Sequence, residues 1–324
     1  MSKARQLADL GNVYDDGALS NRNLIINGAM QVAQRGTSFG VLASRAYTID
    51  RWNVDAGVNA QRADLSVDEI SGDTRLKYAL QLLGNTSSQY FRQPIEDVTQ
   101  FSSVTCTLSF WVKGSASTTL NNIYARQAFG SGGSSVVDTA FSPISHSVTT
   151  SYTKYTGTVT LPSISGKTLG SGHHLELFMQ VPNGVTLYIT GVQLEVGDTA
   201  TPFEHRSYGQ ELALCMRYTT VFRGNGSGVG GMIAVGASTS ASNSYFLMTP
   251  QVPMRATPST SFSSLVVSDS VAFDAAVNTL AINYTTGKSF YVETAHSSNS
   301  SVGKPVNLRP SSGSFGELIL DAEL

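Results

Sequence analysis

Ten consecutive residues, Val104 to Lys113, alternate without a break. Val104, Cys106, Leu108, Phe110 and Val112 fall on one side; Thr105, Thr107, Ser109, Trp111 and Lys113 fall on the other. Successive side chains of a strand point to opposite faces, so this period of two predicts a strand with one face on a core and the other toward water. His174 to Val181 repeats the pattern, with Leu175, Leu177, Met179 and Val181 inward. Val185 to Val192 follows the turn signal Pro182-Asn183-Gly184, whose Asn-Gly predicts a hairpin. Tyr152 to Leu161 is a further Thr- and Tyr-rich strand. Short strands set between Gly, Ser and Asn clusters predict an antiparallel sandwich. No alternation with helical segments supports a parallel α/β sheet.

Composition narrows the function classes. The 324 residues carry 21 basic and 23 acidic side chains, a net charge of −2, and only 14% are charged. With 41% hydrophobic residues, the chain falls outside the high-charge composition of disordered proteins. It lacks the basic excess that phosphate binding requires, so no nucleic-acid partner is expected. The two cysteines, Cys106 and Cys215, sit in apolar periodic segments and are expected to be buried thiols. Asn85-Thr86-Ser87 and Asn283-Tyr284-Thr285 match glycosylation acceptors, a pattern common by chance. No signal peptide is expected, and no apolar run is long enough for a membrane span.

The elements fall into four segments. Residues 1–20 contain a short helix, Ser2 to Leu10, with Ala4, Leu7 and Ala8 at helical spacing and Gly11 as its stop. So short a helix is marginal alone in water and needs a partner surface. Residues 21–206 form the sandwich. Residues 207–217 form a connecting helix, opened by a Ser207/Gln210 capping box and striped by Leu212, Cys215 and Met216. Residues 218–324 form a second, smaller β-rich region. Its expected strands are Tyr218 to Phe222, Met232 to Val235, Tyr245 to Met248, Leu265 to Phe273, Leu280 to Tyr284, Ser289 to Thr294 and Leu318 to Leu320. Val252 to Ser259 is expected to be an extended loop, because residues before proline avoid helix. The fold class is therefore mostly β: an antiparallel jelly-roll sandwich, a smaller β domain, a short N-terminal helix and one connecting helix.

Motifs that suggest chemistry do not meet their structural requirements. Gly226, Gly228 and Gly231 spell G-x-G-x-x-G, but the residues that follow read as strand rather than helix, and the next acidic residue is Asp269. Gly36 to Gly40 matches the nucleophile-elbow string without a helix after it. His173 and His174 are adjacent and point to opposite faces of a strand, while His146, His205 and His296 have no neighbours at metal-ligand spacing. Asp50, Asp55, Asp64, Asp68 and Glu69 form a loose acidic set that reads as solvated loop carboxylates rather than a glycosidase pair. No catalytic, metal or cofactor site is expected. Trp52 is expected in the core. Trp111, on the polar face of its strand, suits an interface, a loop cover or a sugar ring.

Several strings together resemble a known family. Asn21 to Gly36 (NRNLIINGAMQVAQRG), Tyr47 to Trp52 (YTIDRW) and Thr107 to Gly114 (TLSFWVKG) are three of them. Gly191 to Gly197, Ala200 to Glu204, Glu211-Leu212, Cys215 to Tyr218 and Met254 to Pro258 complete the set. In this order they resemble the sandwich domain of bacteriophage tail fibre proteins, over most of residues 21 to 258. The resemblance implies a jelly roll like that of carbohydrate-binding modules, in a virion component that is usually a homotrimer, and it supplies no catalytic residues.

The leading expectation is a short tail fibre, not an enzyme, located in the virion tail. Its N-terminus, with Arg5, Leu7 and Leu10, would engage a tail adaptor or nozzle protein. Its partner on the host would be a cell-surface glycan or envelope protein. Receptor-contact candidates are Trp111 and, on the loops Gly224 to Gly231 and Ser238 to Tyr245, residues Asn225, Ser227, Asn243 and Tyr245. The competing expectations are a capsid fibre or tail joint without receptor binding, and a surface-glycan depolymerase.

Overall fold

The computed structural model describes residues 21–66, 69–70, 73, 75–86, 89–225, 231–269, 274–285, 289–297 and 301–324. The N-terminal helix, with Arg5, Leu7 and Leu10, lies outside the described residues, as do Ser227, Gly226 and Gly228. The chain divides into two compact units: residues 1–211 with Leu324, and Leu212–Glu323.

The first unit is an antiparallel jelly-roll sandwich of two six-stranded sheets. One sheet has the strand order Ser38–Val41, Asn59–Asp64, Tyr78–Leu83, Thr186–Val196, Thr105–Gly114 and Thr153–Thr160. The other has the order Val137–Ala140, Tyr124–Ala128, His174–Gln180, Tyr90–Glu96, Asn53–Val54 and Ala46–Tyr47. The alternating strands do what their period dictates on the inward side. Cys106, Leu108, Phe110 and Val112 are fully buried, and so are Leu175, Leu177 and Met179. They meet Ile25, Ile49, Trp52, Leu80 and Phe91 in one core. Each such side chain contributes about 1.5–3 kcal/mol through burial.

The outward side of Thr105–Gly114 departs from expectation. Thr107 and Ser109 are buried rather than wet. The Thr107 hydroxyl donates to the Gly197 carbonyl at 2.8 Å. Trp111 packs against a small satellite cluster of Ile70, Leu76, Leu65, Tyr152 and Phe203. Loops therefore cover this face. Gly191 helps to make room: it sits at φ 59 in a bulge of its strand, and a Cβ there would meet Leu76 at 3.0 Å and Trp111 at 3.2 Å.

The Asn183-Gly184 turn is also not a hairpin. Gly184 takes φ 71, as a tight turn requires, but His174–Gln180 and Thr186–Val196 belong to opposite sheets. The turn crosses the sandwich. A turn sequence fixes only a local reversal; burial of Leu177 and Ile189 from facing sheets decides which strands pair.

The Asn21 to Gly36 and Tyr47 to Trp52 strings have structural roles. The Asn23 Oδ1 accepts from the backbone N–H groups of Ile25 and Leu194, and its Nδ2 donates to Val192. The Asn27 side chain donates to the carbonyls of Val32 and Asp50, and the Trp52 indole N–H donates to the Asn27 carbonyl at 3.1 Å. Glu204 accepts from the backbone of Asn21 and Asn23, and Glu211 from the backbone of Asn27. These side chains satisfy much of the backbone of an irregular segment that makes few ladder bonds, Leu24 N–H to Leu194 and Val192 N–H to Gly28 among them.

The helix spans Tyr208–Met216, and its predicted cap is present: the Ser207 N–H donates to Gln210 Oε1 at 3.0 Å and the Gln210 N–H to Ser207 Oγ at 3.3 Å. In the second unit, six strands close a barrel in the order Ala234–Ser238, Asn243–Met248, Phe290–His296, Asp274–Thr285, Leu265–Ser268 and Pro305–Pro310. A three-stranded sheet of Thr219–Asn225, Phe315–Asp321 and Ser259–Ser263 accompanies it. Phe246, Val267, Val292, Leu308, Leu318 and Leu320 are among its core. Pro305–Pro310 is a strand that the sequence reading lacks, because a proline stands at each end and the pattern between them is short. Arg255, from the Met254 to Pro258 string, donates to the carbonyls of Ala322 and Glu323 at 2.9 Å. Both cysteines are buried and neither forms a disulfide, and burial pushes the Cys106 thiol up to about 11. No described helix is long and apolar enough to cross a membrane.

Candidate functional site

The second sheet of the sandwich leaves its outward face open. Register places its outward side chains in three adjacent rows. Asp138 stands opposite Arg126, and Arg126 opposite Glu176. Tyr124 stands opposite Phe178, and Phe178 opposite Arg92. Gln180 stands opposite Tyr90. Three neighbouring strands thus converge on a groove of about 360 Å³, lined by Tyr90, Arg92, Asn122, Tyr124, Arg126, Asp138 and Phe178.

The floor is aromatic. The Tyr124 and Phe178 rings stack with centroids 5.3 Å apart and planes 13° apart, and Tyr90 meets Phe178 edge-on at 5.5 Å. Arginines flank the rings: the Arg126 guanidinium carbon lies 4.8 Å from the Phe178 centroid, and that of Arg92 lies 5.8 Å from the Tyr90 centroid.

The charges are arranged in pairs. Arg92 contacts both oxygens of Asp55 at 2.6 and 2.7 Å, and Asp55 also accepts from the Tyr90 N–H at 2.9 Å. Arg126 forms a two-point bridge to Asp138 at 2.6 and 2.8 Å, which holds the guanidinium above its ordinary range. Burial pulls the Arg92 guanidinium down. Glu176 is buried between them, 3.6 Å from Arg126, 3.4 Å from Arg45 and 4.0 Å from Arg92. A carboxylate so far from water needs compensating positive charge. Three arginines face three carboxylates, so the groove presents polar edges with no net charge. Such a surface offers ring faces for apolar C–H groups and fixed donors and acceptors for hydroxyls.

The sequence-predicted site residues are scattered. Trp111 belongs to the other sheet and lies under its loop cover, away from the groove. Asn225 ends the strand Thr219–Asn225, and Gly231 is the described remnant of the glycine string. Asn243 and Tyr245 are not on a loop: they lie within the strand Asn243–Met248, paired to the neighbouring barrel strands. Ser38–Val41, from the elbow-like string, is a sheet-edge strand paired with Asn59–Asp64. The acidic set is dispersed: Asp50 is held by Gln34, Asp55 by Arg92 and Glu69 by Lys113, while Asp68 lies outside the described residues. No group of three metal-ligating side chains occurs among the described residues. The groove residues themselves were not singled out from sequence. Their signal was there as two Tyr-x-Arg strings, Tyr90 to Arg92 and Tyr124 to Arg126, each placing an aromatic ring and a guanidinium on one strand face.

Fold and site together define a β-sandwich with an open aromatic groove joined to a small β-barrel unit. No family model and no curated protein matches the chain. Solved structures similar to it include the CBM22-1 xylan-binding domain of Paenibacillus barcinonensis Xyn10C, at 13% identity and a TM-score of 0.32 over 51% of this chain and 94% of that one. The enzymatically active domain of bacteriophage CBA120 tailspike protein 4 is 17% identical with a TM-score of 0.35, over 54% of this chain and 22% of that one. TmCBM61 in complex with β-1,4-galactotriose is 12% identical with a TM-score of 0.28, over 55% of this chain and all of that one.

Proposed function

We propose that this protein is a tail fibre component of a phage virion that binds a host cell-surface glycan through the sandwich groove. The observation that carries the glycan reading is the register of the second sheet, which gathers part-exposed Tyr90 and Tyr124 around the buried Phe178 ring, beside Arg92 and Arg126 with their carboxylate partners, on one outward face. A sugar presents an apolar face and a rim of hydroxyls, and the groove offers a complement to each. The role is binding rather than cleavage, because the groove carboxylates are engaged by guanidinium groups. The virion reading is supported by the resemblance of the Asn21 to Gly36, Tyr47 to Trp52 and Thr107 to Gly114 strings to tail fibre sandwiches. Under it the N-terminal segment engages a tail adaptor or nozzle protein and the chain assembles as a homotrimer.

The test is competition. Purified full-length protein should bind host cells and block phage adsorption, and Phe178→Ala should weaken both by roughly tenfold or more. Binding that survives Phe178→Ala unchanged, with no glycan recognised on an array, would overturn the groove reading and favour a structural fibre.

A further inference from the structure

The barrel carries an exposed surface that the groove does not explain. Phe246, Met248, Phe290 and Val292 point into the barrel core. Their chain neighbours Leu247 and Tyr291 therefore point out, 55% and 43% exposed, and Val235 on the adjoining strand, next to the Gly236 that faces Phe246, is 64% exposed. Register sets Leu247 opposite Tyr291 and Tyr245 opposite Glu293 on adjacent strands. The Tyr245 and Tyr291 rings are 6.4 Å apart at 53°, too steep to stack face to face on each other. Ala237 and Ala281 stand opposite Tyr245 and Glu293, so short side chains border the taller ones.

Glu293 is fixed within this platform. One carboxylate oxygen accepts from Asn243 Nδ2 at 3.0 Å and the other from Asn283 Nδ2. A carboxylate has about four acceptor positions and no donor, so each oxygen keeps capacity for a second bond. What it can accept from is a ligand that donates. On the strands 234–238, 243–248 and 290–296, Glu293 is the only Asp, Glu, Lys or Arg residue. A folded protein seated here would bury that charge without an ion pair from this face, which is costly. A hydroxylated ring would leave the carboxylate at a hydrated rim and lay its apolar face on tyrosine.

We propose that this barrel wall is a second carbohydrate-binding site, selective for a neutral glycan over an acidic one and independent of the sandwich groove. A uronic acid would bring a second carboxylate beside Glu293 with no cation to offset it.

The experiment uses the full chain carrying Phe178→Ala to silence the groove, applied to an array of neutral gluco-, galacto- and manno-configured oligosaccharides and their uronate analogues. The expected result is retained binding to at least one neutral series, with the uronate analogue weaker. Adding Tyr291→Ala, or separately Glu293→Gln, should then weaken that binding by roughly tenfold or more. Leu247→Ser, which removes apolar contact without touching a hydrogen bond of the platform, should weaken it to a smaller degree, and thermal unfolding of each variant controls for folding. No neutral oligosaccharide bound by the groove-silenced chain, or binding unmoved by the wall variants, overturns the proposal. So does dissociation of an oligomer on wall substitution, which would make the face a self-contact. If Phe178→Ala changes nothing while Tyr291→Ala abolishes binding, the groove reading fails and this one stands.

Discussion

The two outer faces of the sandwich are built from strands of the same alternating kind, yet they end differently. Behind Thr105–Gly114 the outward residues Thr107, Ser109 and Trp111 are roofed by loops, and a hydroxyl there meets a loop carbonyl. On Tyr90–Glu96, Tyr124–Ala128 and His174–Gln180 the residues Tyr90, Tyr124 and Arg126 stay part-exposed around a groove over the buried Phe178, Arg92 and Glu176, held in shape by arginine–carboxylate pairs. Alternation tells which side chains share a face. Whether the face is open depends on where the intervening loops fold, and on whether its polar groups find partners within the sheet.

The two tryptophans set the upper end of the comparison. Trp52 is fully buried in the main core and hydrogen-bonded through its indole, so Trp52→Ala should cost about 3–5 kcal/mol. Trp111 is half-buried in a satellite cluster, so Trp111→Ala should cost roughly half of that and leave glycan binding unchanged. Denaturant unfolding beside an array measurement checks both. If Trp111→Ala abolished binding at full stability, the covered face would be the functional one.

Breaking the groove's inner pair comes next. Arg92 is nearly buried and Asp55 partly exposed, so Arg92→Met should destabilise by about 2 kcal/mol, below the range for a fully buried pair. The outer pair, Arg126 with Asp138, is more exposed, and Arg126→Ala should cost less than about 1 kcal/mol. It should nonetheless weaken glycan binding by roughly tenfold, since this guanidinium flanks the central ring. The separation between stability and binding is the sharp point: an Arg126 variant that loses stability but binds normally would mean the pair serves the fold alone.

How much of this could be read from the chain follows the same line. The sandwich strands, the connecting helix with its Ser207/Gln210 cap and the burial of Trp52 were legible, because each is written in local periodicity or a short-range pairing. The groove was not. Tyr90, Tyr124 and Phe178 are spread over 89 positions (178 − 90 = 88 steps), and only the pairing of three strands brings their rings together. The same long-range pairing decides that Asn183-Gly184 crosses between sheets, and that Asn243 and Tyr245 belong to a barrel wall and not to a loop. Within the second unit, Pro305–Pro310 escaped notice because prolines ordinarily demote a strand.

The smallest expected effect separates the groove carboxylates, which are bridged to guanidinium groups, from a core carboxyl whose burial outweighs its compensation. Asp50 is buried, and both its oxygens accept from Gln34, one from the backbone N–H and one from the side-chain amide. Burial outweighs the positive charge of Arg35 and the two Gln34 donors, and holds the Asp50 carboxyl above its ordinary range. The folded chain then binds this proton more tightly than the unfolded chain. The stability linked to it is fully present below the unfolded value, near 3.8, and is lost as the pH rises through the folded value. Asp50→Asn removes that dependence, along with one acceptor for Gln34. The stability gap between the parent chain and Asp50→Asn should therefore be widest in acid and narrow toward neutral pH. Urea unfolding midpoints across that range measure it. A gap that stayed constant would mean that Arg35 and the Gln34 bonds together fully offset the burial of this carboxyl.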